Sequence, residues 1–206
     1  RRCGRPDRRA RARAQSHRGG RRQLHLDAAL VAELKALAQR QDVTLFMLLL
    51  AVFQTLLFRY SGQSEIRVGV PIANRNRLET EGLIGFFVNT QVLKAELDGQ
   101  MSVAQVVQQV RQRALEAQAH QDLPFEQLVE ALQPERSLSH NPLFQVMFNH
   151  QTDVGQAQVQ HQLPALRVEG LEWESRTAHF DLDLDIQEST EGIWATLGYA
   201  QDLFDA

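Results

Sequence analysis

The sequence predicts a mixed α/β fold in which one β-sheet is layered with helices. Helical periodicity and short runs of β-branched and aromatic residues occur along the same chain, and these patterns indicate helices and strands respectively. Their order is helix, helix, strand, strand, helix, helix and then several strands, which is typical of a layered architecture. With 206 residues and 43% hydrophobic content, the chain can bury one substantial core or form one lobe of a larger unit.

The first two helices are predicted between residues 28 and 62. Asp27 is a suitable N-cap for an amphipathic helix that ends near Gln41. Thr44 is a suitable N-cap for a second helix, which is apolar on nearly all sides and stops at Ser61 and Gly62. Its apolar run is shorter than the roughly 20 residues that a membrane-spanning helix needs, so we expect a buried core helix.

Two strands and two further helices are expected next. Residues 65–72 and 86–97 are rich in β-branched and aromatic side chains and predict strands. Ser102 is expected to cap a helix that ends before Pro124, and residues 125–132 predict a shorter helix.

The last third of the chain is predicted to supply most of the remaining strands. Alternating or β-branched patterns occur at residues 144–150, 166–173, 180–187 and 193–199. Residues 152–164 are rich in glutamine and have no pattern, so we expect a loop there.

Charge is distributed unevenly along the chain. Residues 1–22 contain ten basic side chains and one acidic side chain, whereas residues 23–206 contain 12 basic and 24 acidic side chains. The acidic body is a poor candidate for binding nucleic acid. We therefore divide the chain into a basic leader, residues 1–22, and a folded body, residues 23–206.

The leader lacks large apolar side chains, so we expect it to be disordered. It is either a basic arm for nucleic acid or a membrane surface, or a non-native segment that arose from a reading-frame error. The abrupt change of composition at Gln23 favours the non-native explanation.

Cysteine and histidine usage limits the chemistry of the chain. Cys3 is the single cysteine, so neither an internal disulfide framework nor a cysteine-based metal site can form, and a reducing, cytoplasmic setting fits. The seven histidines are scattered and no two are adjacent. We expect each to be a surface or hydrogen-bonded structural residue, and we assign no metal site.

Three segments carry a resemblance to a known family. Residues 84–91 read IGFFVNTQ, residues 120–126 read HQDLPFE and residues 136–143 read RSLSHNPL. In this order they resemble the IGxFVNT, (H/N)QDxPFE and RDxSRNPL motifs of nonribosomal peptide synthetase condensation domains. The resemblance extends over residues 23–206 and corresponds to the carboxyl-terminal half of that family.

The third motif departs from the family pattern at two positions. Ser137 and His140 stand where the motif usually has Asp and Arg, which weakens only the polar network of that connection. Asn141 and Pro142 keep the pattern and predict a turn.

The resemblance implies one lobe of a two-lobe, chloramphenicol-acetyltransferase-like fold. In the family, donor and acceptor aminoacyl groups enter a tunnel between the lobes on phosphopantetheine arms of carrier domains, and the acceptor amine attacks the donor thioester to give an amide. The family's HHxxxDG reaction centre lies in the other lobe and is absent from this sequence. We therefore assign no catalytic residue and expect the chain to be inactive alone.

Arg75, Asn89 and Asn149 are candidates for lining the tunnel or positioning substrate. The resemblance implies that Arg75 pairs with the aspartate of the missing HHxxxDG motif, so in this chain we expect it to be solvated or paired with Glu79 or Glu81. It also implies that Asn149 points into the tunnel, although a hydrogen bond at a strand end is an equal alternative. Asn89 either lines a channel or ties its strand to a neighbour.

Four other motif residues are expected to have structural roles. Gly85 allows an unusual dihedral or the close approach of another backbone. Pro124 turns the chain after a helix, and Asp122 is placed to cap the next helix. Phe125 is expected to anchor that helix in the core, and a role for Asp122 as a general base is the alternative.

The implied partners are carrier domains, the missing amino-terminal lobe and an adjacent adenylation domain, with neither nucleic acid nor a membrane. No cofactor is expected to bind directly, apart from the phosphopantetheine arms of the carriers. Two alternatives stay open: an epimerisation or cyclisation variant of the same scaffold, and a non-catalytic module that binds carriers. An exposed lobe interface also predicts self-association.

Overall fold

A six-stranded mixed sheet forms the centre of the computed structural model, which describes residues 15–75, 77–134, 137–152 and 176–204. The strand order is β1-β6-β5-β4-β2-β3. Strands β2, β4 and β5 are parallel neighbours, and the other pairs are antiparallel. The predicted mixed sheet is confirmed. The strands are β1 (Gly19–Asp27), β2 (Glu65–Ile72), β3 (Asn89–Glu96), β4 (Val146–Thr152), β5 (Leu182–Ser189) and β6 (Gly192–Ala200).

The helices begin at the capping residues that the sequence predicts. Oδ1 of Asp27 accepts from the backbone N–H of Leu30 at 2.8 Å, and Ser102 forms a capping box with Gln105. Thr44 caps the second helix in the same way. The helices in the described residues are α1 (Ala28–Arg40), α2 (Leu45–Ser61), α3 (Leu78–Glu81), α4 (Val103–Ala119) and α5 (Phe125–Leu132).

The main core lies between the sheet and helices α1, α2 and α4, on what we call the helix face of the sheet. Alternate strand residues such as Val68 and Phe148 point to this face and are fully buried. The Phe148 ring packs against Phe46 and Phe53 at centroid distances of 5.6 and 5.9 Å. Burial of each such side chain contributes about 1.5–3 kcal/mol, so this face provides most of the stability.

Strand β1 corrects the prediction of a disordered leader. Residues 19–22 belong to β1 and pair with β6 along their whole length, so the prediction is wrong for these residues. An edge strand needs little apolar surface because β6 supplies its hydrogen bonds. Gly20 also leaves room for Tyr199, since a Cβ on Gly20 would overlap that ring. Residues 1–14 lie outside the described residues.

Three predicted strands have different bounds, and one cannot be compared. Strand β3 begins at Asn89, not at residue 86, because residues 83–88 form a loop in which Ile84 and Phe86 are almost fully exposed. Strands β4 and β5 each begin two residues later than predicted. The strand predicted at residues 166–173 lies outside the described residues.

Within the described ranges, no single helix is long and apolar enough to cross a membrane. Helices α1 and α2 reach that length only when they are counted together across a 99° bend. Most apolar side chains of α2 are buried or partly buried in the main core, as expected for a core helix.

Candidate functional site

Polar side chains gather on the side of the sheet turned away from α1, α2 and α4, which we call the open face. On this face, Nδ2 of Asn149 donates a hydrogen bond of 3.0 Å to Oδ1 of Asp185. The two residues are directly opposite each other in the parallel pair β4–β5, and both are half-buried. A hydrogen bond was one expectation for Asn149 and is present, but it forms in the middle of β4 and not at the strand end that was expected.

The structure does not bring the three candidate positioning residues together. Asn89 pairs with Ile72, the last residue of β2, and Arg75 follows three residues later. Asn89 lies on the same side of β3 as the core residue Leu93. Asn149 lies in the middle of β4 and on the open face. The open face around Asn149 is therefore the candidate site.

Two carboxylates on the open face were not assigned a role from the sequence. Asp183 lies two residues from Asp185 on β5, and its carboxylate covers Gly198, where an added Cβ would overlap Oδ2. Burial raises the pKa of Asp183, and repulsion from Asp185 adds to the rise, while Arg21 and His179 act in the opposite sense. The open face therefore carries excess negative charge that is only partly compensated.

The side chain of Asn89 connects β3 to the segment between α4 and α5. Its Nδ2 donates to the carbonyls of Gln121 at 3.1 Å and Leu123 at 2.8 Å. Its Oδ1 accepts from the backbone N–H groups of Thr90 and Phe125. These bonds supply the tie between a strand and its neighbour that was one of the two expectations for Asn89.

The capping role predicted for Asp122 is wrong. Helix α5 begins after Pro124 without a hydrogen bond from a side chain at the N-cap position. The backbone N–H of Phe125 instead reaches Oδ1 of Asn89 at 3.1 Å, and Asp122 is exposed. Asn89, which is distant in sequence, therefore provides the hydrogen bond at the start of α5 that was expected from Asp122.

The Arg75 guanidinium organises the loop between β2 and β3. Its Nη1 donates to the carbonyls of Thr80 and Leu83, the latter at 2.8 Å. Its Nη2 donates to the carbonyl of Gly85 at 3.3 Å, and the guanidinium carbon lies 4.3 Å from the centroid of the Phe87 ring. Several backbone acceptors and a cation–π contact thus fix one charged group.

Both expectations for Arg75 in this chain are wrong. It is not simply solvated, and among the described residues it forms no ion pair with Glu79 or Glu81. The backbone carbonyls of Thr80, Leu83 and Gly85 accept its hydrogen bonds instead. The carbonyls of Leu83 and Gly85 are therefore bonded to a side chain and not to a neighbouring strand.

Gly85 differs from both of its expected roles. Among the described glycines, only Gly62 and Gly192 have positive φ, so Gly85 has no unusual dihedral. A Cβ on Gly85 would lie 3.2 Å from Cε2 of Phe87. The missing side chain therefore makes room for a ring, not for another backbone.

Phe125 anchors α5 in a small aromatic cluster on the open face and not in the main core. Its ring packs edge-on against Phe144 at 5.7 Å, and Phe144 stacks on Phe180 at 5.6 Å. Phe144 covers Gly69, where an added Cβ would overlap the ring. The turn predicted at Asn141 and Pro142 is present as a bend that immediately precedes Phe144 in the sequence.

The arrangement can bind and orient polar groups. The open face offers the amide of Asn149 and the carboxylates of Asp183 and Asp185. Among the described residues, no group of three or more His, Cys, Asp and Glu side chains could hold a metal ion. A shallow hollow of about 450 Å³ lies away from this site, between α1, α2 and α4, and its lining includes Lys35, Asp42, Met47 and Arg111.

Known sequences identify the family. Residues 5–206 match the family described as Condensation domain. The chain belongs to the condensation domain family. One of the linear gramicidin synthase proteins of Brevibacillus parabrevis is 50% identical over 202 residues, which are 97% of this chain and 3% of that protein. Surfactin synthase subunit 1 of Bacillus subtilis is 39% identical over 193 residues, 92% of this chain and 5% of that protein. This condensation chain thus spans only a few per cent of the synthetases it resembles.

Solved structures agree with this assignment. A holo four-domain nonribosomal peptide synthetase bound to AMP and glycine superposes with a TM-score of 0.88 at 25% identity, over 99% of this condensation chain and 16% of that chain. The X-domain from teicoplanin biosynthesis superposes with a TM-score of 0.88 at 30% identity, over 97% and 46% of the two chains. The predicted fold and the family resemblance are confirmed.

Proposed function

We propose that this condensation chain holds and orients two carrier-tethered aminoacyl groups for amide formation, and that the reaction also requires a lobe bearing HHxxxDG. Amide formation is the general function of the family. The observation that carries the proposal is the half-buried polar pair of Asn149 and Asp185 on the open face of the sheet.

Positioning is a sufficient role for this surface. Holding an amine and a thioester in line converts a bimolecular reaction into an effectively unimolecular one, and this can supply about 7–11 kcal/mol of the barrier reduction. Amide groups such as that of Asn149 suit this role because they orient a substrate carbonyl or amine without changing charge. A base that takes the proton of the amine would come from the HHxxxDG histidine.

Condensation domains work with carrier and adenylation domains in multidomain synthetases. We extend this to the present chain: its substrates arrive as thioesters on phosphopantetheine arms of carrier domains, and an adenylation domain lies next to it. Because the arms bring their own reactive groups, the chain needs no cofactor of its own. We expect this assembly to work in the cytoplasm.

The exposed loop at residues 83–88 supports contact with another lobe. Ile84, Phe86 and Val88 expose 106%, 90% and 47% of their reference areas, and Arg75 fixes the loop that presents them. We expect the isolated chain to self-associate through such surfaces. Light scattering tests this, because a single monomeric species at high concentration would contradict an uncovered lobe interface.

The decisive experiment compares the chain alone with the chain joined to an amino-terminal lobe that carries HHxxxDG. Both are incubated with aminoacyl-loaded donor and acceptor carriers, and the dipeptidyl product is measured by mass spectrometry. We expect product only from the two-lobe protein and about tenfold less from its Asn149→Ala variant, the equivalent of one hydrogen bond. Gln112→Ala, an exposed change on α4 at the opposite side of the sheet, is the control and should leave the rate unchanged.

Two outcomes would redirect the proposal. Full activity of Asn149→Ala would remove Asn149 from the positioning surface. A product with an inverted or cyclised donor residue would identify the epimerisation or cyclisation variant.

A non-catalytic binding module is the second candidate function. One structure similar to this chain is a complex of the X-domain and OxyB from teicoplanin biosynthesis, with a TM-score of 0.85 and 29% identity. This favours the view that such scaffolds can serve as docking platforms. Carrier binding without any product from the two-lobe protein would support that function over catalysis.

A further inference from the structure

Strands β4 and β5 carry two cross-strand side-chain pairs, one on each face of the sheet. On the open face, Nδ2 of Asn149 and Oδ1 of Asp185 are 3.0 Å apart. On the helix face, Nε2 of His150 and Oε1 of Glu188 are 2.8 Å apart. Since residues 149 and 150 are consecutive, the same short piece of backbone holds both pairs.

His150 is enclosed on the helix face. Only 8% of its side chain is exposed, and its ring is nearly parallel to Phe46 at a centroid distance of 6.3 Å. Glu188 is 13% exposed, and its other carboxylate oxygen lies 2.7 Å from Nζ of Lys35, whose side chain is more than half exposed. Lys35, Glu188 and His150 therefore follow one another from the surface to the core. Glu188 and Lys35 are the charged groups that face the imidazole.

The contact between His150 and Glu188 is short but poorly aligned. Nε2 of His150 is completely buried and lacks a well-formed hydrogen bond despite its closeness to the carboxylate. A buried polar atom in this state is unusual in a native fold. Burial lowers the pKa of His150, while the Glu188 carboxylate opposes this and Lys35 adds to it, so the neutral ring is the main form at neutral pH.

Protonation gives the His150–Glu188 pair a second arrangement. An imidazolium beside a carboxylate forms a charge-assisted hydrogen bond, which is more linear than the present contact. The ring must reorient to make it, and the Phe46 ring restricts that movement on one side. Part of the adjustment therefore falls on the backbone of β4 and β5, which also carries Asn149 and Asp185.

We propose that His150, Glu188 and Lys35 form a positioning relay that sets the orientation of Asn149 from the opposite side of the sheet. Protonation of His150 changes the geometry of the Asn149–Asp185 pair. Any effect of this change on the position of a substrate rests on the proposed function. The coupling between the two side-chain pairs does not depend on that function.

Nuclear magnetic resonance of the 15N-labelled chain tests the coupling without any carrier. The side-chain amide signal of Asn149 and the imidazole signals of His150 are followed from pH 8 to pH 5. The experiment uses an Asp183→Asn background, because the pKa of Asp183 is raised and its titration near Asn149 could shift the same signal. We expect the Asn149 signal to shift with the same midpoint as His150, below the usual histidine value of about 6.5.

Two variants separate the relay from a structural effect. In His150→Gln the pH-dependent shift of Asn149 should vanish, whereas His25→Gln, a change at the histidine that packs on Trp194, should leave it intact. In Glu188→Gln, loss of the carboxylate should move the midpoints of His150 and Asn149 together to lower pH. The second variant keeps the test decisive if His150→Gln does not fold.

An Asn149 signal that is flat across the titration, or that still titrates in His150→Gln, would overturn the proposal. Midpoints that separate in Glu188→Gln would overturn it as well. In the two-lobe protein, Glu188→Gln should shift the pH profile of kcat while KM stays constant. Because the spectroscopic test needs no activity, a failure of the relay is distinguishable from a failure of the proposed function.

Discussion

The helix face and the open face of the sheet use the same strands for different purposes. Side chains alternate along each strand, so Phe148 enters the core while its neighbour Asn149 points to the open face. The helix face is apolar and closed by α1, α2 and α4, whereas the open face holds half-buried amide and carboxylate groups. We therefore expect stability to depend mainly on the helix face and the proposed positioning role to depend on the open face.

The largest difference should appear when large side chains are truncated on the helix face. Phe148→Ala removes a fully buried ring and leaves a cavity between Phe46 and Phe53, so we expect a loss of about 3–5 kcal/mol in the free energy of unfolding. Asn149→Ala should cost about 1 kcal/mol. Urea denaturation measures both variants, and equal losses would contradict the division between the faces.

The aromatic cluster on the open face should tolerate no added volume at Gly69. In Gly69→Ala the new methyl group would collide with the Phe144 ring, and we expect a loss of about 1–3 kcal/mol. Gly99→Ala, where nothing lies within 4 Å of the added atom, is the matched control. Thermal unfolding should separate the two variants by several degrees; equal melting temperatures would mean that Phe144 moves aside freely.

The cap of α5 can be assigned by comparing Asn89 with Asp122. Asn89→Ala removes the hydrogen bonds to the α4–α5 segment and should destabilise the chain by about 1–2 kcal/mol. Urea denaturation measures this loss. In Asp122→Ala the backbone N–H of Phe125 should keep its hydrogen bond to Asn89, so hydrogen exchange at that amide should be unchanged. Faster exchange of the Phe125 amide in Asp122→Ala than in Asn89→Ala would restore the local cap expected from sequence.

The two faces should also respond to pH in opposite directions. The pKa of His150 is lowered in the folded chain, so its contribution to stability is complete above about pH 6.5 and is lost as the pH falls through the folded pKa. His150→Gln should flatten this part of the curve of unfolding free energy against pH. An unchanged slope between pH 7 and pH 5 would contradict the lowered pKa.

The smallest effect is expected at Asp183. Its pKa is raised, so its contribution is complete below its unfolded pKa and is lost as the pH rises through the folded pKa. At pH 7, Asp183→Asn should therefore stabilise the chain, by only a few tenths of a kcal/mol because solvent screens the half-exposed group. Asp185→Asn should not stabilise the chain, since Asp185 accepts a hydrogen bond from Asn149.

Sequence patterns predicted the helices and the core better than they predicted the site. The caps at Asp27, Thr44 and Ser102 are local interactions, and the periodicity of α2 directly reflects its burial. The cap that Asn89 provides for α5 joins residues 36 positions apart, and no local pattern contains that information. Strand β1 was missed because its stability comes from β6 and not from its own composition.

One feature of the open face is visible in the sequence pattern, and the surroundings of Arg75 are not. The alternation DLDLD at residues 181–185 places acidic side chains on one face of a strand and leucines on the other. The backbone carbonyls that bind Arg75 leave no such signal, because every residue has one. The family resemblance implied a carboxylate for this arginine, and only the structure identifies what replaces it in this chain.

One titration tests most directly whether the open face is the functional face. The 15N-labelled chain is titrated with a carrier domain that bears a non-hydrolysable aminoacyl-phosphopantetheine, and two side-chain amides are observed: Asn149 on the open face and Gln108 on α4. We predict a saturable shift of the Asn149 signal with no change at Gln108. A carrier that binds and shifts only Gln108 would place the functional surface on the helices and contradict the role of the open face.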